Sequence, residues 1–248
     1  MSEEQKYWEA IGGSACPDDI MRDISIKEIS KYLKPGMDIL DLGCGNGYCT
    51  YEFSKAKPNS ILGVDYSKTS IQAANVELNN STNELRKVMR FQQGNALDLK
   101  EFNSSFDTII SIRCLINVGD MDCIKKAFNE IYNALKPGGR YLMCENFVSG
   151  LNIINESRKA VGLNEIKTRW HNTCIDDDQF YQWAKSLYTE YEVNHFLSTY
   201  FFVSRVVNGW IADQNNEEPK YDSDINRMAS LLPSHGEYSP MRLIILQK

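Results

Sequence analysis

The sequence has neither a basic stripe nor a long apolar run. Its 248 residues contain 27 Lys and Arg against 33 Asp and Glu, which gives a formal net charge of -6. Because no cluster of basic residues is present, nucleic acid is not predicted as a partner. No segment reaches the roughly 20 apolar residues that cross a bilayer, and the opening stretch MSEEQKYWEA lacks the pattern of a signal peptide. We therefore expect a cytoplasmic protein that binds neither nucleic acid nor a membrane.

Paired cysteines are also missing. The seven cysteines are an odd number, and no two of them form a Cys-x-x-Cys pair. This spacing argues against a zinc site and against a disulfide framework. The sequence therefore predicts reduced thiols and no bound metal. The length suits one α/β domain with additions.

The glycine motifs that bind phosphate are absent in their usual form. The stretch Asp38 to Gly47 reads DILDLGCGNG, a short apolar run that ends in glycines. A dinucleotide fingerprint requires a third glycine where this chain has Tyr48, and no Gly-Lys-Ser/Thr follows. A nicotinamide oxidoreductase is therefore disfavoured. A strand that ends in glycines nevertheless indicates a ligand loop, because the amides at the start of the following helix are unpaired.

An acidic residue stands beside these glycines. Asp41 precedes Gly43 by two positions, and Cys44 and Gly45 follow. A carboxylate here would repel a pyrophosphate but attract a cationic group such as an α-ammonium. Without a Cβ, glycine can adopt positive φ and let a ligand lie against the backbone. We expect these four residues to contact a bound cofactor.

The string Asp-x-Gly-x-Gly-x-Gly resembles the first motif of class I S-adenosylmethionine-dependent methyltransferases. The resemblance implies an α/β, Rossmann-like fold with a seven-stranded, mostly parallel sheet, helices on both faces and a lid from late insertions. It implies S-adenosylmethionine as cofactor and S-adenosylhomocysteine as product, with the acid near the methionine moiety. The order of strands and helices, with a KPGG turn before the fifth strand, is similar to that methyltransferase core over residues 34–147.

A second acidic residue directly follows the next expected strand, Ser60 to Val64. Asp65 follows Gly45 by 20 residues, and in nucleoside-binding α/β folds an acid at about this distance takes the ribose hydroxyls. The alternative is that Asp65 caps the following helix, a role that Ser67 can also fill. Tyr66, next in the chain, is placed to lie along the adenine.

Two further strand ends complete the predicted cofactor site. After the third strand, the resemblance implies that a side chain and a backbone amide face the adenine. This chain has Asn95 and Ala96 there, and Asn95 has a second interpretation as a turn residue. The fourth strand, FDTIISI, delivers Arg113 to the same edge of the sheet. Arg113 either holds a carboxylate of cofactor or substrate or pairs with Glu145, which ends strand five.

The late part of the chain, residues 148–248, is predicted to form the lid, the acceptor site and the final strands. His171 lies there between Trp170 and Asn172, and histidine is suited to take a hydroxyl proton near neutral pH. His171 is therefore either the general base or a hydrogen-bonded structural residue. The candidate substrate contacts are Asn117, Glu145, Trp170 and Asn172.

The N-terminal segment, residues 1–33, is predicted to be helical and to lie over the cofactor cleft. Its aromatic pair, Tyr7 and Trp8, either covers the cleft or packs on the domain edge.

The predicted function is methyl transfer from S-adenosylmethionine to a small polar acceptor, such as a sugar-like metabolite, at oxygen rather than nitrogen. Two alternatives remain open, a catalytically inactive cofactor-binding subunit that supports a partner and a nucleic-acid methyltransferase. The nucleic-acid methyltransferase is disfavoured by the negative net charge of the chain. It is also disfavoured by the segment after strand four, RCLIN, which contains no proline.

Overall fold

The computed structural model describes residues 3–11 and 17–248, and within them the strands form one seven-stranded sheet. The strands are β1 (Asp38–Leu42), β2 (Ser60–Asp65), β3 (Met89–Gln93), β4 (Phe106–Ile112), β5 (Leu135–Asn146), β6 (Glu190–Asn194) and β7 (Met241–Gln247). Their order is β3-β2-β1-β4-β5-β7-β6. β7 pairs antiparallel with both β5 and β6, whereas the other strand pairs of the described residues are parallel. The predicted fold, a mostly parallel class I methyltransferase sheet, is confirmed.

Helices connect the strands and cover both faces of the sheet. They are α1 (Glu3–Ile11), α2 (Asp19–Ser30), α3 (Tyr48–Ser54), α4 (Lys68–Asn80), α5 (Asn83–Val88), α6 (Met121–Ala134), α7 (Val148–Ala160), α8 (Asp177–Leu187), α9 (Ser198–Phe202), α10 (Asn208–Gln214) and α11 (Asp224–Ala229). A π-helical turn, Val203–Val207, joins α9 to α10. No helix among the described residues is both long and apolar enough to cross a membrane.

Short polar side chains set where the helices begin. Asp18 accepts a hydrogen bond from the Met21 amide at 2.9 Å and starts α2. Ser67 does the same for α4, where its Oγ accepts from the Ser70 amide at 3.2 Å. Each such cap satisfies a backbone donor that the helix leaves unpaired and is worth about 1 kcal/mol. These caps fix the ends of the helices that border the site.

The core lies in two layers, one on each face of the sheet. Ile39 of β1 belongs to a buried cluster with Ile29 of α2. The next residue, Leu40, points the other way and packs in a second cluster with Ile131 of α6. All four side chains are completely buried, and each contributes roughly 2 kcal/mol through lost contact with water. Burial on both faces explains why the central strands read as continuous apolar runs.

The sheet order places three strand ends at one edge. β1 pairs with β2 on one side and with β4 on the other. Successive strands are therefore added on one side of β1 up to β3 and on its other side from β4 onward. Ligands of open α/β sheets bind at the carboxyl ends of the strands at such a switch point. The loops after β1, β2 and β4 therefore meet at one site.

The six cysteines that the structure describes are free thiols. Cys16, the remaining one in the sequence, lies outside the described residues, as do positions 1–2 and 12–16 of the predicted N-terminal segment.

Candidate active site

The loop after β1 is shaped by glycines. Gly43 has a φ of +78° and Gly47 a φ of +84°, in the left-handed region that glycine adopts without strain. A Cβ at Gly43 would lie 2.7 Å from the Cβ and Sγ atoms of Cys114 in the loop after β4. The two loops therefore approach each other as closely as they do because this position carries no side chain.

A cavity of about 580 Å³ lies against this loop. Every residue predicted to bind the cofactor lines it, and the carboxyl ends of β1, β2, β3 and β4 contribute them. They are Asp41, Gly43, Cys44, Gly45, Asp65, Tyr66, Asn95, Ala96 and Arg113.

Asp41 forms the floor of this cavity. Its side chain is buried, with only 2% of its surface exposed, and it accepts a hydrogen bond from the Thr50 hydroxyl at 2.5 Å. Burial, with a smaller contribution from the charge of Asp65, outweighs the Thr50 hydrogen bond and raises the pKa of Asp41 to about 7. A cationic group bound beside this carboxyl would stabilise its charged form and lower its pKa again.

Asp65 holds the loop geometry with both of its oxygens. One oxygen accepts from the Gly45 amide at 2.9 Å and the other from the Ser67 amide at 2.8 Å. Ser67, not Asp65, is the N-cap of α4. Burial raises the pKa of Asp65, while these amide bonds act in the opposite direction. Each carboxylate oxygen has a second lone pair, with which it can accept a further hydrogen bond, such as one from a ribose hydroxyl.

Asn95 serves as a turn residue at the edge of the cavity. Its Oδ1 accepts a hydrogen bond from the Leu97 amide at 2.9 Å, and its backbone carbonyl accepts from the Asp98 amide at 2.9 Å. The residue nevertheless lines the cavity together with Ala96. Both interpretations made from the sequence are thus compatible with its position.

Helix α2 contributes a wall that the sequence analysis missed. Met21, Arg22 and Ser25 line the cavity, and the Arg22 guanidinium lies 4.0 Å from the centre of the Tyr48 ring. Arg22 also pairs with Asp19 at 2.6 Å. The apolar spacing of α2 predicted a helix but gave no sign that its other face borders a ligand cavity.

A second, smaller cavity of about 180 Å³ adjoins the first. The two cavities share Trp8, Met21, Arg113 and Asn117 in their walls. Much of the rest of the smaller cavity comes from the segment between α7 and α8, and further residues come from just before α2, the end of β5, α7, the late helices and Pro240. It lies where an acceptor could meet a cofactor bound at the glycine loop.

Arg113 stands between the two cavities in an unusual conformation. Its φ is +53°, which is uncommon for a residue with a side chain. Its amide donates to the Cys144 carbonyl at 2.9 Å, and its own carbonyl accepts from Asn117 Nδ2 at 2.6 Å. The Oδ1 atom of Asn117 is buried and has no hydrogen-bond partner among the described residues. Backbone strain of this kind is typical of functional sites.

Glu145, which was predicted to contact the substrate, lies outside both cavities. The residue is completely buried and lines neither cavity. Its carboxylate accepts from the Ser111 hydroxyl at 2.8 Å and from the amides of Cys114 at 2.9 Å, Leu115 at 3.0 Å and Ile116 at 3.4 Å. Glu145 therefore fixes the loop that carries Arg113 and Asn117, because three successive amides of that loop would otherwise be unpaired.

His171 lies inside a cluster of aromatic rings at the smaller cavity. Its ring stacks on Tyr7 with 4.4 Å between centroids, and Trp8 and Trp170 meet it edge-on at 5.3 Å each. Only 7% of His171 is exposed. Its Nδ1 atom is buried without a hydrogen-bond partner in the described part of the chain.

The surroundings of His171 favour its neutral form. Burial lowers the pKa of His171, and the positive charges of Arg169 and Arg113 lower it further. A neutral imidazole near neutral pH is able to accept a proton. Among the other predicted substrate contacts, Asn172 lines the smaller cavity, whereas Trp170 is 62% exposed and lines neither.

Helix α1 brings the first aromatic residues to this cluster. The Glu9 carboxylate accepts from the amides of Lys68 at 2.8 Å and Thr69 at 2.9 Å, at the start of α4. These bonds lower the pKa of Glu9. Trp8, on the same helix, lines both cavities. Glu9 itself was not singled out from the sequence.

Residues 33–192 match the family described as methyltransferase domain, which is more than half of the chain. The chain therefore belongs to this methyltransferase family. The class I methyltransferase predicted from the glycine motif is confirmed, and so is the enzyme class, S-adenosylmethionine-dependent methyltransferase.

Curated relatives are similar over part of their length. The chain is 36% identical over 112 residues to a demethylmenaquinone methyltransferase from Lactococcus lactis subsp. lactis, which is 44% of this chain and 42% of that protein. It is 38% identical over 90 residues to a ribosomal protein L11 methyltransferase from Thermosipho africanus, which is 36% of this chain and 32% of that protein. The matches thus span less than half of either relative.

A solved structure supports the fold over nearly the whole chain. It comes from a complex between the Haloferax volcanii Trm112 methyltransferase activator and a methyltransferase, with a TM-score of 0.63 and 16% identity. The similarity covers 97% of this chain and 96% of that one. At this identity, the likeness concerns the fold alone.

One prediction about partners is wrong. The sequence predicted a small-molecule acceptor as the partner, whereas a relative is named for methylation of ribosomal protein L11 and a structural neighbour is bound to a protein activator. The composition and charge on which that restriction rested describe the whole surface, so they do not identify what enters one cavity.

Proposed function

We propose that this protein transfers the methyl group of S-adenosylmethionine to an oxygen nucleophile that enters the smaller cavity. The observation that carries the proposal is the pairing of two adjoining cavities. One is bordered by the glycine loop and two carboxyl groups, and the other by a buried histidine whose Nδ1 atom has no hydrogen-bond partner among the described residues. The shared wall contains Arg113 and Asn117, so a group held in each cavity would meet at that wall.

The residues of the larger cavity fit the cofactor. We assign the α-ammonium to Asp41, because a buried carboxyl with a raised pKa gains most from a cation. Asp65 would accept the ribose hydroxyls, and Asn95 with Ala96 would face the adenine. Either Arg22 or Arg113 would take the cofactor carboxylate, since each guanidinium lines the same cavity. When bound, S-adenosylmethionine supplies a methyl carbon on a positively charged sulfur.

His171 is proposed as the base that accepts the acceptor's proton. A hydroxyl must lose a proton as it is methylated, whereas a neutral amine is already nucleophilic, so a base favours oxygen as the target. The neutral state of His171 and its fixed orientation between Tyr7 and Trp8 support this role. The aromatic cluster would also exclude water from the reacting atoms, and most of the rate enhancement would come from alignment.

The test begins with calorimetric titration of the protein with S-adenosylhomocysteine and with NADH. We expect heat from the first and none from the second; the reverse would revive the oxidoreductase interpretation. Methyl-labelled S-adenosylmethionine is then supplied with matched hydroxyl and amine acceptors. Demethylmenaquinone and ribosomal protein L11 are included because relatives are named for them.

The role of His171 is tested with His171→Gln on the best acceptor found. We expect the turnover number to fall about a hundredfold or more, with the affinity for S-adenosylhomocysteine changed less than twofold. The matched control is His195→Gln, since His195 is half-buried but lines neither cavity. Equal activity in the two variants would rule out the base, and cofactor binding without turnover on any acceptor would favour the inactive-subunit alternative.

A further inference from the structure

We infer that the acceptor carries an anionic group, a carboxylate or a phosphate, which binds at Lys167, Arg169 and Arg205 in the smaller cavity. This inference rests on the proposed function, because it concerns the molecule that would be methylated there. It adds a substrate class that neither the family nor the glycine motif specifies.

The walls of the smaller cavity are strongly cationic. Among the described residues that line it, Arg113, Lys167, Arg169 and Arg205 are cationic and Asp18 alone is acidic. This excess of three positive charges occurs in a chain whose net charge is -6. A cavity with charge opposite to that of the whole molecule attracts anions selectively.

The single carboxylate is fully occupied by the protein. Asp18 is 1% exposed and caps α2 through the Met21 amide at 2.9 Å. It also accepts from the Tyr200 hydroxyl at 2.6 Å and pairs with Arg205 at 2.7 Å. Asp18 therefore neutralises Arg205 in part.

Arg205 is held as a rigid donor at the inner end of the cavity. It lies in the π-helical turn Val203–Val207, a feature often found at functional sites. Its guanidinium lies 4.8 Å from the ring centre of Phe201 and 4.5 Å from that of Tyr221. A planar guanidinium fixed in this way presents its remaining N–H donors without further ordering, which suits a carboxylate or phosphate.

Lys167 and Arg169 form the outer part of the same cavity. Both are exposed, and within residues 3–11 and 17–248 neither forms a salt bridge. Two neighbouring cations without an acidic partner would repel each other less once an anion lay between them. Their exposure also means that they can be replaced without disturbing the core.

His171 supplies an independent sign that a ligand belongs here. The side chain is more than nine-tenths buried, lines the same cavity and leaves Nδ1 without a partner in the described structure. A buried polar atom normally has a hydrogen-bond partner, whether a protein group, an ordered water or a bound molecule. An acceptor with its anionic end on the cations and its nucleophile at His171 would satisfy both features.

The test uses tryptophan fluorescence of the full chain saturated with S-adenosylhomocysteine, because Trp8 borders the cavity. The probes are benzoate, phenyl phosphate and benzamide, the last being an uncharged analogue of benzoate. We expect both anions to bind about tenfold or more tightly than benzamide, with affinity that falls as salt is added. Equal affinity for benzoate and benzamide would overturn the inference.

Two double variants locate the binding. Lys167→Gln with Arg169→Gln should weaken both anions about tenfold and leave the affinity for S-adenosylhomocysteine within twofold. The control is Lys126→Gln with Lys185→Gln, which removes the same charge from exposed positions on α6 and α8 that line neither cavity. Equal weakening in the two double variants would show a general charge effect and would also overturn the inference.

The source of the anion is distinguished by a further pair of probes, phenyl phosphate and a neutral peptide with one phosphoserine. Binding of either supports the anionic class, and the tighter one indicates whether the anion is free or carried on a protein. Failure of the proposed function gives a different result. In that case either S-adenosylhomocysteine does not bind or no acceptor is methylated, while the anion probes, measured on the unliganded protein, still report on the cavity.

Discussion

The Asp41 carboxyl combines full burial with one strong hydrogen bond. Thr50 donates to it at 2.5 Å, but burial dominates and raises its pKa to about 7. At neutral pH the carboxyl of the unliganded protein is therefore protonated in a substantial fraction of molecules. An α-ammonium beside it would favour the carboxylate, so binding of the cofactor should release a proton when it occurs below pH 7.

This coupling predicts how cofactor affinity depends on pH. With a pKa of about 7 for Asp41, the affinity for S-adenosylhomocysteine should rise about tenfold between pH 6 and pH 8, because the binding-competent carboxylate becomes the main form. Calorimetric titration in buffers of different ionisation enthalpy measures both the affinity and the released proton. Asp41→Asn should bind more weakly and with little pH dependence. The same pH profile in both proteins would refute the assignment.

The sequence predicted the positions of some charged residues of the site but not of others. Asp41 and Asp65 were predictable because fixed spacing from the glycines puts each at the end of a strand. Glu145 was not, since its partners are amides of the loop after a different strand. Nor was Arg22, because the sequence shows that α2 has a buried face but not what lies beside its other face.

At the scale of elements, α1 connects two parts of the site that are far apart in the chain. Its Glu9 carboxylate binds the start of α4, next to the loop that follows β2. Tyr7 and Trp8, on the same helix, contact His171. The helix is short, and an isolated helix of this length is not stable in water. Its place therefore depends on these two sets of contacts.

Removing the Glu9 charge should loosen α1. Glu9→Gln keeps the length of the side chain but loses the charge at the positive end of α4, worth about 1 kcal/mol, so amide hydrogen exchange in α1 should accelerate about fivefold. Glu3→Gln, an exposed position on the same helix, is the control. If exchange is unchanged by Glu9→Gln, or equally accelerated by both substitutions, the anchoring role is refuted.

The regular elements were easier to predict than the irregular ones. The apolar runs of β1 and β4 indicated strands because each is long enough to be buried on both faces of the sheet. The π-helical turn Val203–Val207 has no comparable sequence signal, since its extra residue per turn is fixed by packing. The segment between α7 and α8 carries His171 without any periodic pattern, so only its polar and aromatic composition marked it.

At the scale of the whole molecule, the site results from the order of the strands. β1 stands between β2 and β4, and this brings the glycine loop, Asp65 and Arg113 to one edge. The larger cavity could be predicted because strand order and motif spacing determine it. The smaller cavity could not, because Trp8, Arg113, His171 and Arg205 come from four separate parts of the chain.

The buried carboxyl also affects the stability of the whole fold. The pKa of Asp41 is raised from 3.8 to about 7 in the folded protein, so the folded state holds this proton more tightly than the unfolded chain does. Between these two values, the unfolding free energy contributed by Asp41 must therefore decrease as pH rises. Above about pH 7 both states are ionised, and the contribution stays constant at its lowest value.

Urea unfolding of the unliganded protein at pH 5, 6 and 7 tests this linkage. Relative to Asp41→Asn, the wild type should lose roughly 1 kcal/mol of unfolding free energy per pH unit. Asp224→Asn is the control, since that side chain is 93% exposed, and it should follow the wild type. Saturation with S-adenosylhomocysteine should reduce the difference in slope, because an ammonium held beside the carboxylate offsets the burial of its charge. Parallel curves for wild type and Asp41→Asn would show that Asp41 ionises normally, and the electrostatic basis of the cofactor assignment would then be lost.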